Sequence, residues 1–164
     1  MDNNNLNKSS LNKNFSNRNN SLEIVKSISK VAKLIDGFYE KFYKNFKLTK
    51  VQFKTMYFIY LNGDEGLTIS ELSNKLNIKK PTTTNLVYRM ESNGLVKRVS
   101  KEGDRRSVII SLTENGEEII NKVLPSDEEF KLSILDFLTE DDKEKLGKLM
   151  NAIEKELTAK LLES

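Results

Sequence analysis

Neither cysteine nor histidine occurs among the 164 residues, and the two absences remove whole classes of chemistry. Without thiols there is no disulfide, no thiol-based redox sensing and no thiolate-ligated zinc. Without imidazole there is no His-dependent triad, no histidine general base and no histidine metal site. A carboxylate-based enzyme would need two acids set into an apolar pocket pattern, and no such pattern is visible. The expectation is a protein that is not an enzyme and needs neither metal nor cofactor. Long apolar runs are also missing: no stretch approaches the roughly 18 residues of a spanning helix. The first residues lack the apolar run of a secretory signal, which leads us to expect an intracellular, cytoplasmic protein without membrane contact.

What is present is a workable core and uneven charge. Hydrophobic residues make up 37% and charged residues 31%, enough for one ordinary domain with helical extensions. The net charge of +3 conceals an asymmetry. Residues 69–112 carry nine Lys/Arg against four Asp/Glu, a net +5, whereas 113–164 carry seven against fourteen, a net −7. Residues 1–68 hold eleven against six, again +5. A basic centre before an acidic end fits a nucleic-acid face confined to one part of the chain.

Along the chain, residues 1–20 are rich in Asn, Ser and Lys, with Leu6, Leu11 and Phe15 too scattered to form a face. This reads as a disordered tail. Val25, Ile28, Ala32, Ile35, Tyr39, Phe42 and Phe46 then recur at spacings of three and four, predicting a long helix over about 22–46. Thr49 with Gln52 forms a capping box opening a second helix, whose expected inner face is Phe53, Met56, Tyr57, Tyr60 and Leu61. Asn62 to Gly66 supplies turn residues. Thr68 with Glu71 caps a short helix to Leu76, with Asn77 suited to a left-handed C-terminal position. After a tight turn, another helix runs from Lys80 to Asn93 and stops at Gly94. Residues 95–99 and 107–112 read as strands around a turn at 101–104.

Two short helices followed at once by a basic hairpin make a winged helix-turn-helix. Beyond it, Thr113 is expected to cap a helix in which Pro125 must cause a kink or a break. One bent helix, or two short ones with Ser126 and Glu129 capping the second, are both open. Thr139 with Asp142 caps a last helix bearing Leu146, Leu149, Ile153, Leu157 and Leu161. The expected fold is therefore mainly α: a winged helix-turn-helix at 49–113, flanked by a dimerisation helix at 21–48 and C-terminal dimerisation helices at 114–164.

Three stretches carry a family resemblance. They are Leu67-Thr68-Ile69-Ser70-Glu71-Leu72; Pro81 to Glu91 followed by Asn93-Gly94-Leu95-Val96; and Gly103-Asp104-Arg105-Arg106-Ser107 ending in Ser111-Leu112-Thr113. In this order and spacing the chain resembles the multiple-antibiotic-resistance regulator (MarR) family from about residue 22 onward. The resemblance implies a two-fold homodimer interlocked through its first and last two helices. Recognition helices would enter successive major grooves of double-stranded DNA, and wings would reach the flanking minor grooves. It also implies control by a small aromatic or anionic ligand, for which Tyr39, Tyr43 and Tyr57 are the candidate lining residues.

The chemistry of the expected DNA face follows from residue type. On the 80–93 helix, Thr83, Leu86, Val87 and Met90 share the inner side, leaving Thr82, Thr84, Asn85, Tyr88 and Arg89 outward. Asn reads adenine bidentately and a Thr methyl packs on that of thymine. Asn85 stands where the family pattern often has Arg, which tilts the expected site toward A·T-rich sequence. Lys79 and Lys80 flank a helix start without a capping side chain, suiting a phosphate. Arg105 and Arg106 follow the turn, at the wing, with Asp104 as the residue that braces them. A winged helix used only for protein interaction is the alternative, and it has no need of wing arginines.

Overall fold

The structure is a computed structural model describing residues 3–101 and 104–163, with side chains described over 20–100 and 108–163. It divides into two compact units, Met1–Thr113 and Glu114–Ser164. In the first unit, helix α1 spans Asn3–Lys44. It begins well before the 22–46 stretch marked by apolar periodicity. The backbone over 3–20, where composition suggests a tail, is helical, and no proline or glycine interrupts the chain before Gly37. The apolar face of α1 is also broader than one stripe. Ile28, Ile35, Tyr39 and Phe42 are half-buried, while Val31, Leu34 and Phe38 beside them are 52%, 55% and 57% exposed.

Helix α2, Lys50–Leu61, starts at the Thr49–Gln52 capping box, with both reciprocal hydrogen bonds formed. Its inner face is Phe53, Met56 and Ile59. Tyr60 and Leu61, which the sequence pattern places inside, are instead 41% and 63% exposed. The run Phe58-Ile59-Tyr60-Leu61 has no polar gap, so periodicity alone cannot choose among its members.

A 3-10 turn at Gly63–Glu65 leads to Gly66, whose φ of +58° favours glycine. A Cβ there would meet the Ile110 carbonyl oxygen at 2.8 Å. This close approach lets Leu67 exchange both backbone hydrogen bonds with Ile110, at 3.0 and 2.8 Å.

Helix α3, Ile69–Leu76, is opened by the complete Thr68–Glu71 capping box. It closes on Asn77 in the left-handed conformation (φ 54°, ψ 45°). The Asn77 N–H donates to Asn74 O and the Ile78 N–H to Ser73 O, the paired bonds of a Schellman stop. The Ser73 hydroxyl donates to Ile78 O at 2.6 Å, tying the turn a third time.

Helix α4 spans Lys80–Ser92 and ends in a second Schellman stop: Gly94 (φ +66°) donates to Glu91 O and Leu95 to Met90 O. Strands β1 (Val96–Lys101) and β2 (Asp104–Leu112) form one antiparallel hairpin, longer than their β-branched segments alone suggest. Val96 pairs with Leu112, Arg98 with Ile110 and Ser100 with Val108, and the register shifts at Lys101. Met56, Leu72, Val87, Met90 and Ile110 are each 0% exposed and mark the centre of the unit's core. Each is worth about 1.5–3 kcal/mol relative to exposure.

In the second unit, α5 (Glu114–Ser133) continues through Pro125, so of the two possibilities the single helix is realised. The proline removes the N–H that would bond Asn121 O. Asn121 and Pro125 are both exposed, so water can take that carbonyl. Ser126 lies inside the helix rather than starting a new one. Thr113, expected to cap α5, directly precedes it, and its hydroxyl also donates to Gly94 O at 2.6 Å. Helix α6, Glu140–Leu162, is capped by Thr139, which accepts from the Asp142 N–H. No residue of α6 is buried. Among the described residues no helix is long and apolar enough to cross a membrane.

Candidate nucleic-acid interface

The outward face of α4 follows from what its inward face must bury. Thr83, Val87 and Met90 are fully buried and Leu86 is half-buried, so the 100° helical step turns Thr82, Thr84, Asn85, Tyr88 and Arg89 to solvent. All five are exposed, and Tyr88 retains 65% of its surface. The structure therefore brings together the five residues that the sequence nominates on this helix. Thr84 is partly committed: its hydroxyl donates back to Lys80 O at 2.9 Å. That bond orients Oγ1 along the helix and leaves the γ-methyl as its outward group, a surface for apolar rather than polar contact. Among the described residues, none engages the side chain of Asn85 or Arg89 in a hydrogen bond or ion pair.

At the start of α4, Lys79 is the N-cap with extended backbone (φ −67°, ψ 144°), and no side chain caps the helix. Pro81 in the first turn has no N–H to leave unsatisfied. The remaining donors of the turn, beside the exposed Lys79 and Lys80, face solvent at the positive end of the helix dipole. Asn77 and the Ser73 hydroxyl hold the turn that delivers them.

The wing is the β1–β2 hairpin. Its backbone places Asp104, Arg105 and Arg106 at the beginning of β2, directly after the loop. Their side chains lie outside the described residues. Two basic residues that the sequence reading does not nominate, Lys97 and Arg98, are exposed on β1. The Arg98 Nε lies 3.1 Å from Glu91 Oε2. The signal for them was available in the basic 97–98 pair flanked by Val96 and Val99.

The three tyrosines come together in a ring column. Tyr43 is 3% exposed and stacks on Tyr39 at 6.0 Å and on Phe53 at 4.6 Å, and Phe53 stacks in turn on Tyr57 at 6.2 Å. Spacing places them on facing helices, where aromatic rings fill the α1–α2 contact. A groove of about 680 Å³ opens beside Glu40, Lys44, Leu48, Lys50, Lys54 and Leu76. Lys50 there pairs with Asp36 and lies 4.9 Å from the Tyr39 ring centroid.

Comparison with known proteins agrees with this geometry. The MarR family profile matches residues 48–108, from the start of the capped α2 into the wing. The HTH-type transcriptional regulator PecS of Dickeya dadantii (strain 3937) is 33% identical over 135 residues, covering 82% of this chain and 81% of PecS. A solved MarR family protein from Bacillus stearothermophilus superimposes with a TM-score of 0.67 at 30% identity, over 86% of this chain and 97% of that one. The S. aureus MepR–DNA complex shares the fold, with a TM-score of 0.68 at 20% identity, over 79% of this chain and 94% of that one. The capped helix pair, the hairpin that follows it and these matches together show that the chain belongs to the MarR family of winged helix-turn-helix transcriptional regulators.

Proposed function

We propose that this chain is a sequence-specific DNA-binding repressor that acts in the cytoplasm as a homodimer on a pseudo-palindromic operator. The observation that carries the reading is the exposed face of α4, with Asn85, Tyr88 and Arg89 outward, Lys79 and Lys80 at its uncapped start and a hairpin at its end. Asn85, Thr82, Thr84, Tyr88 and Arg89 read base edges, while the two lysines hold phosphates. Arg105 and Arg106 enter the minor groove, with Asp104 as their brace. The solved DNA complex of a protein with this fold supports the arrangement.

Homodimerisation is supported by α6, a 23-residue helix with no buried residue and with Leu149, Leu157 and Leu161 64%, 55% and 77% exposed. Apolar stripes of that length call for a partner. Two copies would set their recognition helices about 10 bp apart on half-sites of a palindrome. Bound across a promoter, such a dimer occludes polymerase. Control by a small aromatic or anionic ligand belongs to the same reading. The α1–α2 groove, with Lys44, Lys50 and Lys54 around Leu48 and Leu76, supports it better than the stacked tyrosines do.

The test is binding of the purified chain to random duplex and to a selected site across a salt series. The expected result is dimer binding whose affinity falls steeply with salt, and a selected site that is palindromic. Salt-independent binding, or no enrichment from a randomised pool, would overturn the reading.

A further inference from the structure

We propose that Glu91 and Arg98 are positioning residues for DNA recognition: their ion pair braces the wing against the recognition helix, and Arg98 is not itself a DNA contact. The inference rests on the DNA-binding reading above. Among the described residues, all but two of the ion pairs join side chains three or four positions apart on one helix. One exception ties α1 to α2 through Asp36 and Lys50, and the other ties α4 to β1 through Glu91 and Arg98.

The second exception spans the turn between helix and hairpin. The chain passes from α4 to β1 through Gly94, which is exposed, has a φ of +66° and has nothing within 4 Å of where a Cβ would stand. Backbone hydrogen bonds hold this turn, including one from the Thr113 N–H to Leu95 O, and the Thr113 hydroxyl holds the Gly94 carbonyl. Among the described residues, the Glu91–Arg98 pair at 3.1 Å is the ion pair that joins side chains of α4 and β1 across it. A six-residue strand extends about 20 Å from its base, so a tilt of about 10° at the turn moves the wing tip by about 3 Å. The minor groove is about 6 Å wide. Such a tilt is therefore enough to misplace a wing arginine.

Position also explains the choice of charges. Glu91 sits in the last turn of α4, where the exposed carbonyl ends disfavour a carboxylate, and the Arg98 guanidinium offsets it. Both side chains are partly withdrawn from water, at 40% and 37% exposed. An arginine already neutralised by a carboxylate displaces few counterions from a phosphate, so Arg98 adds little to the salt slope.

The experiment uses the full chain and its selected duplex, comparing Glu91→Ala, Arg98→Ala, the double alanine variant and the exchange Glu91→Arg with Arg98→Glu. Hydroxyl-radical footprints, affinity across a salt series and thermal unfolding are read for each. The single variants should lose protection in the flanking minor grooves, keep it in the major groove and bind about three- to fivefold more weakly. The double alanine variant should be no worse than either single, the exchange should restore the flanking protection, and the salt slope should match the parent. If Arg98→Ala lowers the slope by about one while Glu91→Ala binds as tightly as the parent, Arg98 is a phosphate contact and the inference is overturned. Uniform loss of all protection with a lower unfolding temperature would reduce the pair to a fold-holding role, which also overturns it. A parent chain with no salt-dependent duplex binding overturns the DNA reading itself, and is thereby told apart from failure of the brace alone.

Discussion

Helices α3–α4 and helix α6 carry the same kind of apolar stripe and meet opposite fates. Leu72, Val87 and Met90 lose all their exposure to the core of the first unit, whereas Leu149, Ile153 and Leu157 of α6 keep 64%, 36% and 55% of theirs. Helices α3 and α6 are both capped by a threonine, Thr68 and Thr139. Local signals therefore build either kind of helix equally well, and the difference lies in what is available to cover it. A stripe buried within one chain stabilises the monomer fold, while a stripe left bare is free to stabilise the proposed homodimer.

The comparison is broken most forcefully at α6. In the proposed homodimer, replacing Leu149 and Leu157 together by Lys puts four ammonium groups into the two-fold interface. The expected loss is about 6–12 kcal/mol of association, from four side chains at about 1.5–3 kcal/mol each. Light scattering should then show a monomer at micromolar concentration whose helical content is retained; an unchanged dimer would show that α6 is not at the interface. Leu72→Ala acts on the other side of the comparison. It should lower unfolding stability by about 2–5 kcal/mol through a core cavity, measured by denaturant titration. Asn85→Arg leaves both stripes intact and should shift base preference at one position of each half-site by about 1–3 kcal/mol toward guanine, read from a randomised-site selection. The smallest effect belongs to Thr68→Ala, which removes an N-cap and should cost about 1 kcal/mol in thermal unfolding.

The elements around the DNA face were legible because their boundaries are written in local chemistry. Thr49–Gln52, Thr68–Glu71, Asn77 and Gly94 each start or stop a helix where the residue type demands it. The outward set on α4 followed from a single 3.6-residue period. What escaped depended on contacts distant in sequence. Tyr60 and Leu61 are exposed because the surroundings cover Ile59 instead, and no local pattern distinguishes them. The stacking of Tyr39, Tyr43, Phe53 and Tyr57 needs the meeting of α1 with α2. Glu91 and Arg98 are seven positions apart, but the glycine turn between them ends the helix, so no single period links the two. The bond from the Thr113 hydroxyl to Gly94 O spans nineteen residues, a reach that no local pattern announces.

The approach of Gly66 to Ile110 has a consequence for how the hairpin survives in solution. A two-stranded ribbon exposes unpaired amides and carbonyls along both outer borders, an invitation to strand addition by another chain. Leu67, admitted by the missing Cβ of Gly66, occupies the border of β2 at Ile110 and closes it at the base. The bare remainder runs toward the tip, along the stretch that bound DNA would shield. In hydrogen exchange, the amides of Leu67 and Ile110 should therefore report the opening of the wing's root, and free tips should exchange first.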